Sequence, residues 1–542
     1  MTISSGIRIR KYPWQWKGEY CISDDKSLLV NTICPMLELK KDICFVASSD
    51  KLYKSVSLDD YILVQLPISQ EADYKLGFIN KNTSEKRTID LFFESRKFVE
   101  KEELDKSKKY VKHWLSFIDE IALLGEKSDI NKVSYGNLPS FIEQTVGDEN
   151  NPYYSIIVKI SNDMKVTLPS IVHGLRKILK SQRQMMPLNR ISELDPSCIR
   201  WIVKQPGKTI YEKASANRFR LLGITRKENY DLLENRVLKD FIFRCATECR
   251  EYINNLSKSE GFKQTERYKL VRAFGQTCSE FLENPVFENV TRQVGMTMPN
   301  YVLQNDIRYK RMWKFYLRLL KKEKELDSVW RWQYRTFEDI SQFLLQASLC
   351  NFFNKQHSFI SEILVDSILK ISSEQVLGSK LSPLSVPGPF YIDSVGKHVI
   401  VSMFRLTGDY LKVYGEYPYI QEMLHLIKLG TTTFIKIEEI GKKSSVVIPV
   451  YFLHTALLDS ELDENYIKNL ARDAHDNCSS YLSNFKLAPL IFCSCFDDVK
   501  QTRFSFTNID IIVVNTLLNN LNSVFTKIAQ IIERRISDLI GE

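Results

Sequence analysis

Hydrophobic and polar positions change their spacing as the chain is followed from its start. Up to about residue 95 they fall in short β-branched and aromatic runs, "SLLVNTICPMLELKKDICFVA", "DDYILVQLP" and "YKLGFINKNTSEKRTIDLFFES". These predict strands, with "NKNTSEK" as a hairpin turn. From about 97 to 125 the spacing becomes helical, and Val111, Trp114, Leu115, Ile118, Ile121 and Leu123 form one apolar stripe. A polar connection, "GDENNP", leads into "YYSIIVKI", whose β-branched content predicts a further strand.

The middle of the chain, about 168 to 375, is predominantly of helical spacing. Tyr230, Leu233, Val237, Phe241, Cys245, Cys249 and Tyr252 recur every three or four residues, the mark of a single buried helix face. Pro383, Pro387, Gly388 and Pro389 then end the helical pattern. Beyond them "FYIDSV", "HVIVSMF", "TFIKIEE", "SVVIPVYFL" and "PLIFCSCF" predict strands, with a helix over about 464–483. The last stretch, from "TNIDIIVVN" onward, predicts one long amphipathic helix with a capping-box-like Thr507-x-x-Asp510 start. The expected fold class is a multidomain α+β protein. Its parts are a β-rich N-terminal domain over 1–165 with a helix near 97–125, a mainly helical basic domain over 166–380, and a C-terminal α/β domain over 381–542.

A length of 542 residues agrees with several domains, since single cores stop growing at about 250–300 residues. The 11 cysteines are scattered through apolar segments, which favours small buried hydrophobes over a disulfide framework. No apolar run approaches the roughly 18–20 residues that span a bilayer, and the start lacks the apolar core of a signal peptide. The expectation is a cytoplasmic protein with no membrane partner.

Charge changes this picture. The net charge of +9 is concentrated: residues 171–227 hold 13 Lys/Arg against three Asp/Glu, and residues 301–335 hold ten against four. The remainder of the chain is net acidic, so a polyanion is the natural partner of these two windows. Taken as a helix from about 306, "RYKRMWKFYLRLLKK" puts Tyr309, Met312, Trp313, Tyr316 and Leu320 on one side and Arg311, Lys314, Arg318 and Lys321 on another. Trp330, Arg331, Trp332 and Arg335 follow as further stacking and phosphate-binding candidates. The candidate DNA-contacting residues are therefore Arg308, Lys310, Arg311, Lys314, Arg318 and Lys321, with Arg176, Lys177, Lys180, Arg183, Arg218 and Arg220 from the first window.

Neither a G-x-x-x-x-G-K-[ST] loop nor G-x-G-x-x-G occurs, so nucleotide hydrolysis is expected of a partner. His475, Cys478, Cys493 and Cys495 offer a loose zinc set, but Cys-Ser-Cys is too tight for the usual knuckle, and core packing is the expectation. No metal site and no cofactor is predicted. The pair "TFIKIEE" and "SVVIPVYFL" could be the hairpin that carries a Mg²⁺-binding carboxylate set and a lysine in nucleases of the PD-(D/E)xK type. Here the acidic position falls on Pro449 and the lysine position on Tyr451, so no catalytic residue is assigned. Asp393, Glu438 and Glu439 are the carboxylates a displaced site would use.

The segments "YDLLENRVLKDFIFR" and "PNYVLQNDIRYKRMWKFYLRLL" carry a resemblance. A helix of the type E-N-R-F-[LV]-K is matched by Glu234, Asn235, Arg236, Leu238, Lys239, Phe241 and Ile242. A preceding W-[IL]-x-x-x-P is matched by Trp201, Ile202 and Pro206. A P-[SN]-x-V-L-Q segment is matched by Pro299, Asn300, Val302, Leu303, Gln304 and Tyr309, and a later Y-E-x-[WIF] is approximated by Phe337, Glu338 and Ile340. In this order they resemble the McrC-like family, partner subunits of McrB-type AAA+ motors in bacterial restriction and anti-phage systems. The resemblance is best over about 195–345. It implies an AAA+ NTPase partner and a C-terminal domain resembling the PD-(D/E)xK fold, degenerate where this chain has Lys436–Ile437 and Pro449–Val450–Tyr451. Glu234, Asn235, Arg236, Lys239, Gln304 and Tyr309 are its motif residues, and Arg236 can pair with Asp240 at i+4.

The expected function is a non-catalytic DNA-binding adaptor of a defence system, working with an AAA+ partner and possibly a separate nuclease subunit. A Mg²⁺-dependent DNA nuclease, for which Mg²⁺ would be the cofactor, and a protein-interaction scaffold without nucleic acid remain the alternatives.

Overall fold

The computed structural model describes residues 7–16, 27–30, 33–46, 53–57, 61–67, 74–84, 86–93, 110–119, 121, 155–256, 261–355, 369–376, 379–383, 388–394, 397–406, 416, 418–442, 445–457, 462–479, 486–495, 502–506 and 508–541. The protein is mixed α/β, and its chain divides into two compact units, Met1–Tyr154 with Glu323–Glu542, and Ser155–Lys322. The N-terminal strands and the C-terminal sheet thus share one unit, which the division at 165 and 380 does not anticipate.

The first unit is organised by an eight-stranded sheet. Phe390–Ser394, Lys397–Arg405, Thr433–Glu439 and Ser445–Leu453 run antiparallel in sequence order. Leu490–Cys495 then pairs parallel with Ser445–Leu453, and Asp510–Asn515 parallel with Leu490–Cys495, after the intervening helix Glu464–Ser479. Side chains alternate between two cores. Ile435, Ile437, Val446, Ile448, Leu490, Phe492, Ile512 and Val514 face the helices at 110–119, Gln333–Lys355 and Leu521–Gly541. Phe434, Val447, Tyr451, Ile491, Cys493 and Ile511 face the other way, onto Pro418–Leu424 and Glu464–Ser479. Burial on both faces explains why these strands read as unbroken apolar runs.

The expected strands "FYIDSV" through "PLIFCSCF" and the helix near 464 are present. The expected single terminal helix is instead a strand, Asp510–Asn515, followed by the helix Leu521–Gly541. Ile511–Val514 is a β-branched run with no polar interruption, which suits a central strand better than a helix. Asp510 therefore opens a strand, while Thr507 lies outside the described residues. The N-terminal strands form two four-stranded sheets, with the expected turn of "NKNTSEK" between Tyr74–Asn80 and Lys86–Phe93. Within this unit the Gly430 backbone, at φ +78°, passes so near Pro13 that a Cβ there would lie 2.0 Å from its carbonyl oxygen. Beside it the buried Arg10 pairs with Glu38 at 2.7 Å and donates to the Lys428 carbonyl at 2.7 Å.

The second unit is helical, with one exception. Leu233–Leu256 packs against Glu266–Leu282, and Cys245, Cys249 and Cys278 are buried between them. Gly275 permits this approach, because a Cβ would meet that of Cys249 at 2.8 Å. The described part of "YYSIIVKI", from Ser155 on, is not a strand. Ile156–Met164 is a helix whose buried Ile157, Val158, Ile160, Ser161 and Met164 occupy one side, so tertiary packing overrides β-propensity here. The exception is a two-stranded antiparallel ribbon, Ile178–Pro187 with Arg220–Asn229, paired over its whole length and absent from the sequence expectation.

Candidate nucleic-acid interface

The motif helix Leu233–Leu256 begins with two polar residues buried in its first turn, Glu234 and Asn235. The Asn235 amide nitrogen donates to the carbonyls of Arg176 at 2.7 Å and Tyr230 at 2.8 Å, and its oxygen accepts from the Tyr309 hydroxyl at 3.2 Å. Burial, with the nearby Glu234 charge, pushes the Tyr309 hydroxyl up to about 12, so it stays a donor at any ordinary pH. Glu234 accepts from Asn300 at 2.7 Å, and Asn300 in turn caps the helix Tyr301–Asn305 through the Leu303 amide. Lys239 donates to the carbonyls of Phe287 at 2.7 Å and Val290 at 2.8 Å.

Arg236 does not pair with Asp240. It makes a bidentate contact with Asp231, at 2.8 and 2.6 Å, in the turn before the helix. The Arg236 hydrogen bonds hold the Asp231 carboxyl well below the usual carboxylate range, with help from the Thr291 amide and hydroxyl. Asp240 is buried and taken by Arg244 at 2.8 Å and the Tyr316 hydroxyl at 2.9 Å. Gln304 stays exposed and donates to the Pro299 carbonyl at 3.2 Å. The motif is therefore an internal clamp. It fastens residues 287–309 to the helix, and all its charged members are engaged within the protein.

The cations lie on the surface beside this clamp. In the helix Ile307–Arg331, Tyr309, Met312, Trp313, Phe315, Tyr316 and Leu319 are buried. Arg308, Lys310, Arg311, Lys314 and Arg318 are exposed, and Lys321 is half-buried, as the spacing predicts. Asp306 sits between the two charge windows: it pairs with Arg176 at 3.4 Å and with Arg308 at 3.7 Å. Arg308 also donates to the Ser170 carbonyl at 3.4 Å. Residues 170–177 and 306–318 thus share one surface. Arg311 pairs loosely with Asp163 at 3.7 Å.

On the ribbon the cations divide. Lys177 pairs with Glu228 at 2.5 Å, Arg226 with Glu193 at 2.5 Å, and the Arg183 Nε donates to Asp195 at 2.7 Å. Asp195, which also caps the helix Pro196–Val203, is held well below the usual carboxylate range chiefly by Arg183. Among the described residues Lys180, Lys227, Arg218, Arg220, Lys310 and Lys314 make no ion pair. Residues 188–219, which link the two strands, carry Trp201 and Ile202 on that helix and a second short helix, Ile210–Ala216. This excursion buries only Cys198 and Ala214 fully, and leaves Ile199, Val203, Ile210 and Tyr211 half exposed or more.

Residues 141–316 match a family model described as a domain of unknown function, DUF2357. No curated protein matches the chain. The matched span contains the clamp, the ribbon and the first part of the basic face of the helix that begins at Ile307, through Lys314.

Other candidates lie in the first unit. Trp332 and Arg335 are not surface groups: Trp332 is buried, and Arg335 is buried against Glu338 at 2.9 Å. Trp330 packs partly buried against the core. The hairpin is antiparallel, with Phe434 opposite Pro449. Tyr451 is buried edge-on against Trp14, with its hydroxyl 3.6 Å from the Cys478 sulfur, and burial raises its pKa well above the ordinary value. Each remaining carboxylate has a basic neighbour: Asp393 has His398 at 3.8 Å, Glu438 has Lys436 at 2.6 Å, and Glu439 has Lys442 at 2.7 Å. Among the described residues no group of three His, Cys, Asp or Glu could hold a metal ion. His475 is exposed while Cys478 and Cys493 are buried, so the loose zinc set does not assemble. Among the described residues no helix is long and apolar enough to cross a membrane.

Asp510, which the sequence offered only as a helix cap, is a buried carboxylate. It accepts from Arg534 at 2.5 Å, Arg535 at 2.8 Å, Arg503 at 3.2 Å and the Ser505 hydroxyl at 2.8 Å. With its lone pairs filled by arginines, it is a structural anion rather than a metal ligand.

Proposed function

We propose that this chain is a non-catalytic, DNA-contacting adaptor of a bacterial defence system that acts with an AAA+ NTPase. The observation that carries the proposal is the meeting of the two basic windows at Asp306, which joins residues near Arg176 to the exposed face of Arg308, Arg311, Lys314 and Arg318. Duplex DNA presents a charge about every 1.7 Å, and a surface of this kind takes its affinity from displaced counterions. The motif order that resembles the McrC-like family supports the AAA+ partner. The exposed apolar residues of the 188–219 excursion support contact with a protein, because such residues on so small a core favour cover.

The layout of the C-terminal sheet, an antiparallel meander followed by a helix and a parallel strand, supports the likeness to a PD-(D/E)xK nuclease fold. Pro449 and the buried Tyr451, in the acidic and lysine positions, support loss of its chemistry.

Purified protein incubated with plasmid and short duplex DNA, with Mg²⁺ or Mn²⁺ and with EDTA, tests both parts. Gel retardation without metal-dependent cutting is the expected result. Arg311→Glu with Lys314→Glu should weaken binding and reduce the slope of log K against log salt by about two. Cutting that EDTA abolishes overturns the non-catalytic role, and absence of retardation overturns the DNA contact.

A further inference from the structure

The two faces of the ribbon differ in charge. Residues alternate along each strand, so Lys180, Gln182 and Gln184 project from one face of Ile178–Pro187. On the same face Lys227 stands directly opposite Lys180 and Thr225 opposite Gln182. No residue of this face is acidic. The other face carries Arg183 and Arg226, which are neutralised by Asp195 and Glu193, and also Glu228. The acidic groups are thus gathered away from Lys180 and Lys227.

Two lysines facing each other across a ladder repel, and neither has an ion-pair partner among the described residues. The exposed amides of Gln182 and Gln184 make no hydrogen bond within the described chain. Among the described residues nothing pairs with these four exposed side chains. Duplex DNA offers partners: a two-stranded ribbon fits the major groove, about 12 Å wide, and a glutamine amide matches the N6 and N7 of adenine in pairs. Ammonium groups set beside such amides reach flanking phosphates or guanine.

We propose that this face of the ribbon enters the major groove of duplex DNA, where Gln182 and Gln184 read base edges and Lys180 and Lys227 hold the adjoining backbone. The proposal rests on the DNA-contacting function above and adds sequence selectivity to it. The helix from Ile307 then supplies contact that does not depend on sequence.

The test is selection of bound sites from a randomised duplex library by the full-length protein, followed by binding to the enriched site with 7-deaza-adenine replacing adenine. That analogue removes the major-groove N7 and leaves base pairing intact. The wild type should enrich A·T-containing sites, and the analogue should weaken binding by about fivefold or more. Gln182→Ala with Gln184→Ala should lose both the preference and the sensitivity to the analogue while still retarding random DNA. Lys180→Ala with Lys227→Ala should lower the salt slope by about two. All four side chains are exposed, so unchanged thermal melting is expected, and the analogue experiment needs no variant. Retardation without enrichment, or a preference that survives the glutamine changes, overturns the groove-reading role and leaves the adaptor standing. Failure to retard any duplex overturns both.

Discussion

At Asn235 one buried amide holds three groups together, the carbonyls of Arg176 and Tyr230 and the hydroxyl of Tyr309. Asn235→Leu fills the space but removes the partner of all three; only the Tyr309 contact is fully buried, while the two carbonyl contacts are partly open to water, which lowers their share of the cost of about 1–3 kcal/mol per orphaned buried group. A loss of about 2–4 kcal/mol is expected, with Tyr309→Phe costing about 1–2 kcal/mol because it orphans only the amide oxygen. Denaturant unfolding of both variants checks this, and an Asn235→Leu protein within about 0.5 kcal/mol of wild type would sink the clamp. DNA binding by the folded fraction should keep its salt slope, since neither residue is a surface cation. The sequence displayed the order of these residues without their roles. The Arg236–Asp240 pairing failed because i, i+4 spacing considers neighbours on the helix alone. Asp231, in the turn before it, offers bidentate geometry, and Asp240 is already occupied from the Tyr316 side.

Among elements, the strands of the first unit were legible as unbroken β-branched and apolar runs, because both their faces are buried, and the helix from Ile307 as a buried stripe beside a charged one at period 3.6. The ribbon was not. Eight of the ten burial states along Ile178–Pro187 are exposed, so no buried face imprints a period on the sequence, and its pairing partner lies beyond the 188–219 excursion. The strand at Asp510 was hidden by the helix that follows. Its carboxylate is the test of that assignment, because a helix cap is worth about 1 kcal/mol, whereas a buried carboxylate between arginines is worth far more to keep than to lose. Asp510→Ala leaves Arg535, itself buried, with only the looser and half-exposed Asp538 at 3.7 Å, and should cost about 3–5 kcal/mol. Ser505→Ala, which removes a single hydroxyl donor, should cost about 1 kcal/mol. Equal losses in the two variants, measured by denaturant unfolding, would contradict the arginine cluster.

At the scale of the whole molecule, the exposed cations proposed to meet DNA and the stability of the first unit should respond differently to pH. Lys and Arg keep their charge from pH 5 to 8. His454, in the first unit, does not behave as an ordinary imidazole: it is buried among Tyr110, Trp114 and Phe337, and burial lowers its pKa to about 3. Burial favours the neutral form: Nδ1 lies 2.6 Å from the Ser494 hydroxyl, which also accepts from the Ala456 amide at 3.0 Å, and Nε2 lies 3.2 Å from the Gln333 oxygen. Unfolded, His454 binds a proton below about pH 6.5; folded, it stays neutral until about pH 3. The unfolded state therefore holds more protons across that window, and stability falls as the pH drops through it. The contribution is complete above pH 6.5 and falls by about 1.4 kcal/mol for each pH unit below it. Unfolding followed at pH 7.5, 6.5, 5.5 and 5.0 in wild type and His454→Leu should show the wild-type slope flattening in the variant, whatever the variant's absolute stability. Parallel slopes would refute the buried neutral histidine. Retardation of duplex DNA at fixed salt should stay constant over the same range for as long as the protein remains folded.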